Sequence, residues 1–349
     1  MLTVIFGAGA SYDSDPSKQP HHFDDPNRPP LANDLFADRP DFRTDLARFP
    51  ECLPVVPLLR HLAGKTQIEE VLERLQSEST SPTHPDHERV KQLAAVRFYL
   101  QTVIDGCWRR WYKGASEVTN YLTLLDEIRH FGNQKVVIVT FNYDRLIELA
   151  IERLTGRTTT KFEDYLALGP FALFKVHGSV NWGRVVTRHE TAAVNSIEHI
   201  VAVLIRDATT IEVGEEYVLV DNYAPIVRDN NLQQVLLPAV AVPVQNKQAF
   251  ECPRFLLDDL ETRLSRTTHM LIVGWRGMDR HFAELLRSHL PSDAQVQIVC
   301  GRPQDATEVK DRLEALGVKA RYEILGHTFT SYVLERSGRG FLSDSARNS

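Results

Sequence analysis

An amide and a carboxylate stand two residues apart in VTFNYDRLIE, as Asn142 and Asp144, where an apolar run gives way to a helical pattern. An asparagine side chain donates and accepts at once, so it can hold a hydroxyl or a water. A carboxylate beside it can fix a loop or accept from an amide. His177 follows another apolar run, in LFKVHGSVNW, and imidazole is the side chain matched to proton transfer near neutral pH. Gly178 removes a Cβ beside it and leaves room for a ligand. Two glycine-bearing turns complete the set: Gly7-Ala8-Gly9-Ala10-Ser11 and Gly274-Trp275-Arg276-Gly277-Met278-Asp279. Glycines there permit tight turns and a close approach of backbone N–H groups to a phosphate, and Arg276 could meet one. Each feature also has an ordinary reading: a helix cap for Asn142, Asp144 or Asp279, a structural histidine, tight turns, and a solvated loop charge.

The elements that must position these residues follow from apolar runs. Leu2–Phe6, Val136–Phe141, Leu173–Val176, Met270–Gly274 and Val296–Val299 read as buried strands of the parallel type. Helical patterns lie between them, over 254–264, 279–290 and 307–316. The alternation predicts an α/β fold, a Rossmann-like doubly wound parallel sheet. Ligands of such sheets bind beyond the carboxyl ends of the strands, and every polar motif above falls at that end. Apolar stripes at helix spacing fill residues 46–130 (Ile68, Val71, Leu72 and Leu75 in one) and predict an inserted helical subdomain. The expected organisation is a discontinuous Rossmann-like domain over 1–45 and 131–335, the helical insert over 46–130, and a flexible tail over 336–349, rich in Ser, Gly and Arg. Residues 13–30 read as a long loop and 77–85 as another. Residues 184–230 are mixed with one strand near Tyr217–Val220, and the proline-broken run Leu236–Val244 is an uncertain strand.

Bulk properties exclude several classes. The chain has 349 residues, 43% apolar and 25% charged, with a net charge of −6. No basic excess suggests nucleic acid as the main ligand. No apolar run reaches the roughly 20 residues of a spanning helix, so no membrane association is expected. The four cysteines, Cys52, Cys107, Cys252 and Cys300, are scattered without a C-x-x-C pair, which argues against a zinc ribbon and a disulfide framework. The expectation is a cytoplasmic protein with reduced thiols.

Taken in order, the four motifs resemble those of the sirtuin-like NAD-consuming superfamily. GAGAS at 7–11 resembles its phosphate loop, TFNYD at 140–144 its T-x-N-[IY]-D motif, HGS at 177–179 its catalytic histidine motif, and VGWRGMD at 273–279 its later glycine turn. PPLANDLF at 29–36 is similar to the cofactor-loop segment of bacterial members. The chain departs from the protein deacylases of the family: the interval that holds their four-cysteine zinc module carries only Cys252, and Phe141 stands where they have Gln. The resemblance is therefore to the bacterial antiphage-defence branch, whose members degrade NAD+.

That resemblance implies NAD+ as substrate, no metal, and an NAD+ glycohydrolase that cleaves the nicotinamide–ribose bond to release nicotinamide and ADP-ribose or its cyclic form. It implies Asn142, His177 and Asp144 as catalytic residues: Asn142 orienting a ribose hydroxyl or water, His177 as base, Asp144 fixing the nicotinamide pocket. It implies Gly7, Ala8, Gly9, Ser11, Thr140, Gly178, Gly274 and Arg276 as cofactor-binding residues. A homo-oligomer is expected, with an HerA-type ATPase or an Argonaute-like protein as partner by family analogy. A sensor that binds NAD+ or ADP-ribose without turnover, a protein ADP-ribosyltransferase and a zinc-free deacylase remain open alternatives, as does hydrolysis against cyclisation.

Overall fold

The computed structural model describes residues 1–19, 25–62, 68–79, 86–132, 135–188, 196–221, 224–229, 232–242 and 250–347. Six strands, β1 (Leu2–Phe6), β2 (Val136–Thr140), β3 (Phe171–Lys175), β8 (His269–Val273), β9 (Gln295–Val299) and β10 (Arg321–Leu325), form one sheet in the order β10-β9-β8-β1-β2-β3. All five pairings are parallel. In order of appearance the strands run 3-2-1-4-5-6 across the sheet, the doubly wound arrangement, with its topological switch point between β1 and β8. Strands β1, β2, β3 and β8 are buried at every position. That is why they read as continuous apolar runs instead of alternating ones. Edge strand β10 (RYEIL) is half-exposed throughout, so it offers no apolar run and escapes a reading based on one.

The helices between strands carry local stop and start signals. Helix Leu146–Thr155 ends at Gly156, whose φ of 67° is the left-handed cap. Helix Arg280–His289 starts at Asp279, whose side chain accepts from the N–H of Phe282. The segment after Glu335, expected as a flexible tail, instead forms helix Arg339–Arg347, with Leu342 and Ser345 buried. Its few apolar residues are placed on one face, which the overall Ser, Gly and Arg content obscures.

The chain divides into two compact units along boundaries that differ from those expected. The first comprises Met1–Pro29, Cys107–His177 and Asn246–Ser349. It holds the parallel sheet and also takes helix Asn120–His130, which the sequence assigns to the insert. The second comprises Pro30–Gly106 and Gly178–Gln245. It contains the helices Pro40–Leu46, Val56–Leu62 and Ile68–Ser79 and most of His87–Gly114. It also contains a four-stranded antiparallel sheet, in the order β5-β4-β7-β6, built from β4 (Gly178–Arg188), β5 (Glu212–Leu219), β6 (Ile226–Asp229) and β7 (Leu232–Val240). The Gln101 amide ties helix to sheet within this unit by donating to the carbonyl of Val180 at 3.1 Å.

This second sheet is largely missed by periodicity. Pro238 sits inside β7, opposite Gly183 of β4. Among the described residues the registered pairing of β7 with β6 covers Leu232–Val235, and position 238 lies beyond it. Residues 243–244 of the expected strand, and 80–85 and 20–24 of the expected loops, lie outside the described residues.

Candidate functional site

Asn142 lies just past the carboxyl end of β2, and its amide is directed by an acceptor that cannot donate. Nδ2 gives hydrogen bonds to the carbonyl of Gly7 at 2.9 Å, to Ser11 Oγ at 2.9 Å and to Tyr121 Oη at 3.1 Å. A carbonyl oxygen accepts only, so the nitrogen must face the Gly7 turn and Oδ1 must face away. Among the described residues Oδ1 has no hydrogen-bond partner. The backbone N–H of Asn142 is held by Thr140 Oγ1 at 3.0 Å. Thr140 is fully buried, so this bond sets its place as a support of the β2 end.

Ser11 links the amide to Asp144. Its hydroxyl donates to Asp144 Oδ2 at 2.7 Å and lies 2.9 Å from Tyr121 Oη. Asp144 Oδ1 accepts from the N–H of Leu146 at 3.0 Å. Both carboxylate oxygens are thus engaged inside the protein. Burial holds the carboxyl of Asp144 above the ordinary carboxylate value, against the opposing charge of Lys175 and its own hydrogen bonds. Burial and the Asp144 charge also raise Tyr121 well above the ordinary phenol value, so its hydroxyl keeps its proton and donates. Through these bonds the carboxylate braces the Gly7–Ser11 turn and the start of helix Leu146–Thr155. Beneath it Lys175 at the end of β3, fully buried, donates to the carbonyl of Asp144 and pairs with Glu148 at 2.9 Å. Neither Glu148 oxygen receives a well-directed hydrogen bond, so this is an ion pair held by proximity.

The two glycine turns interlock at the switch point. The N–H of Gly7 donates to Val273 O at 3.0 Å and that of Gly9 to Gly274 O at 3.1 Å. A Cβ on Gly7 would lie 2.5 Å from Trp275 Cα, and one on Gly274, at φ +63°, would lie 2.4 Å from Ala10 N. The glycines are required here by backbone meeting backbone. One consequence narrows the expected phosphate loop: the N–H groups of Gly7 and Gly9, and that of Ala10, which bonds Gly7 O at 2.9 Å, are already engaged. Ala8 opens the short helix Ala8–Tyr12, where the first N–H groups have no partner within the helix.

His177 follows β3, with Nε2 2.6 Å from Asp279 Oδ2. Its ring meets the edge of Phe141 at a centroid distance of 4.8 Å, and Phe141 is stacked on Trp275 at 4.9 Å with the planes 4° apart. Phe141 and Tyr143, the two residues flanking Asn142, are thus the ones beside the imidazole. Among the other expected residues, Arg276 is exposed and its carbonyl accepts from Arg312. Gly178, at φ +81°, opens the second segment of the second unit.

Three participants were absent from the candidate set. Tyr121 belongs to a stripe read as helix core. Lys175 sits in a strand as a buried cation, which no spacing announces. Asp279 was read only as a helix cap, a role it also plays. Burial pushes the thiols of Cys52 and Cys300 up to about 12 and raises Cys252 as well, so none of these three is a thiolate near neutral pH. Among the described residues no three His, Cys, Asp or Glu side chains gather as a metal site, and no helix is long and apolar enough to cross a membrane.

An amide, an imidazole–carboxylate pair and interlocked glycine turns thus meet at the carboxyl ends of β1, β2, β3 and β8. Residues 136–214 match the SIR2-like domain. That match contains Asn142, Asp144, Lys175 and His177. Among solved structures, a Sir2 homolog in complex with NAD aligns at 12% identity, covering 99% of this chain and 89% of that one, with a TM-score of 0.43. A Sir2 bound to an inhibitor, 2′-O-acetyl-ADP-ribose and a deacetylated p53 peptide aligns at 14% identity over 98% and 94%, with a TM-score of 0.40. At these values no residue role is carried across. None of the curated proteins matches the sequence.

Proposed function

We propose that this protein binds NAD+ at the carboxyl edge of the parallel sheet and cleaves its nicotinamide–ribose bond. The observation that carries the reading is the orientation of Asn142. Its nitrogen is fixed on Gly7, so an acceptor oxygen is presented beside the turn that follows β1, next to the residues that hold His177. The SIR2-like match over 136–214 supports the same substrate.

In the reaction the bond from the ribose anomeric carbon to the pyridinium nitrogen breaks and its electron pair returns to the ring. Nicotinamide leaves neutral, so no acid is needed to protonate it. Positive charge develops on the ribose, and a water oxygen attacks that carbon and gives up its proton. Asn142 Oδ1 accepts from a ribose hydroxyl or from the water, and His177 takes the proton. Ala8 N–H offers a donor for the pyrophosphate at the start of the helix, and Arg276 provides an exposed cation for the same dinucleotide. Asp144, Ser11, Tyr121 and Lys175 hold Asn142 in place. Such positioning supplies several kcal/mol, up to roughly 7–11 in favourable intramolecular cases. Antiphage defence, a homo-oligomer and an HerA-type or Argonaute-like partner extend this reading by family analogy.

The test is incubation of the purified protein with NAD+ and identification of products by mass spectrometry, with and without candidate partners. Free nicotinamide with ADP-ribose is the expected result, and cyclic ADP-ribose would replace the attacking water by an adenine nitrogen. His177→Ala should abolish turnover with an unchanged melting temperature to within a few degrees. Tight NAD+ binding without nicotinamide release would overturn the enzyme reading in favour of a sensor. ADP-ribose on protein would make it a transferase.

A further inference from the structure

We infer that Asp279 is a positioning residue that fixes the tautomer and ring plane of His177, an inference that rests on the proposed role of His177 as base. The two residues are 102 positions apart, yet Asp279 Oδ2 lies 2.6 Å from Nε2 with both side chains buried. The carboxylate is itself immobile: Oδ1 accepts the N–H of Phe282 at 2.8 Å as N-cap of the ten-residue helix Arg280–His289. A helix N-terminus is a favourable place for negative charge, so Asp279 acts toward His177 as an acceptor. An acceptor at Nε2 keeps the ring proton on that nitrogen and makes Nδ1 the basic one. It also stabilises the imidazolium formed when the ring takes a proton, as the carboxylate of a hydrolytic triad does. The edge contact with Phe141, itself stacked on Trp275, blocks rotation of the ring. Other titratable groups near the imidazole are Tyr143, with ring centroids 6.4 Å apart, and Glu251, whose backbone N–H bonds the carbonyl of Val176.

Asp279→Asn separates the two jobs of the carboxylate. Asparagine caps a helix about as well as aspartate, so the variant should fold with a melting temperature near that of the parent. It cannot hold a charge against Nε2. Nicotinamide release should therefore fall on the order of 10²–10⁴-fold, in kcat and not in KM, with the acid limb of the pH–rate profile displaced. Asp279→Glu should recover part of the loss, since it restores the charge at a longer reach. A variant within about threefold of the parent at every pH overturns the inference.

A second readout does not depend on turnover. With ¹⁵N-labelled histidine, and His177→Gln to assign the signal, the long-range ¹H–¹⁵N spectrum at about pH 8 should show the Nε2–H tautomer in the parent. It should show a mixed or inverted tautomer in Asp279→Asn. An Nδ1–H ring or an imidazolium in the parent overturns the inference. Absence of nicotinamide release with the expected spectrum overturns the proposed function alone.

Discussion

Replacing Gly274 by alanine probes whether the glycine turns are there for close packing. Two costs add. An alanine at φ +63° costs about 1–2 kcal/mol in the left-handed region. The new Cβ would lie 2.4 Å from Ala10 N and 2.6 Å from Gly9 C. Both are backbone atoms, so no side-chain rotation relieves the contact. The turn after β1 must draw back from the turn after β8, weakening the bonds of Gly7 to Val273 and of Gly9 to Gly274, each contributing about 0.5–1.5 kcal/mol. The total is about 2–5 kcal/mol. Gly277→Ala provides the control. Its φ is +68°, but the nearest atom to its Cβ would be Val309 Cγ1 at 3.5 Å, so only the conformational cost of about 1–2 kcal/mol applies. In a domain of this size 1 kcal/mol moves the melting temperature by about 2–4 °C. Thermal unfolding should therefore place Gly274→Ala at least about 2 °C below Gly277→Ala. Equal midpoints would refute the argument from interlocked backbones, and with it the reason given for glycine at 7, 9 and 274.

Two further outcomes concern the buried groups beneath the site. Lys175→Met leaves the Glu148 carboxylate buried without its counter-charge and should cost about 3–5 kcal/mol, while adding Glu148→Leu should recover most of the loss; urea unfolding measures both. Burial raises Asp144 and Asp13 above the ordinary carboxylate value. Between that value and the raised one the folded state binds more protons than the unfolded, so their contribution to stability falls as pH rises through that window. Asp144→Asn should flatten that part of the slope in melting curves taken from acid to neutral pH, and an unchanged slope would show that Asp144 is not its source.

The sheet was legible because its central strands are buried on both faces. Leu2–Phe6 and Val136–Thr140 have no polar face to blur the pattern, and their ends carry glycine or asparagine, which mark turns. Strand β10 and the antiparallel sheet were hard to read for the opposite reason. RYEIL is half-solvated, and β4 carries bulges that break strict alternation. In the site, Asn142 and His177 stood out as residue types with chemistry at strand ends. What sequence could not supply was direction. The position of Asp144 beside Asn142 suggests a shared ligand, yet hydrogen bonds to Ser11 and Leu146 turn the carboxylate inward. Asp279 showed the converse. A residue with one sufficient explanation as a cap gave no reason to look for a second, and its partner is far away in sequence.

The strand order carries a consequence for how the chain assembles. β1 is synthesised before both of its neighbours in the sheet, which begin at Val136 and His269. At the roughly 5–20 residues per second of translation, the second neighbour emerges some 15–50 s later. Until then a strand buried at every position in the final fold lacks one of its two flanking partners, and both flanking pairings close long loops, which makes folding slow. Nascent chains stalled before residue 269 should therefore be held by chaperones or aggregate, and the Gly7 turn can take its final shape only once its distant counterpart has left the ribosome.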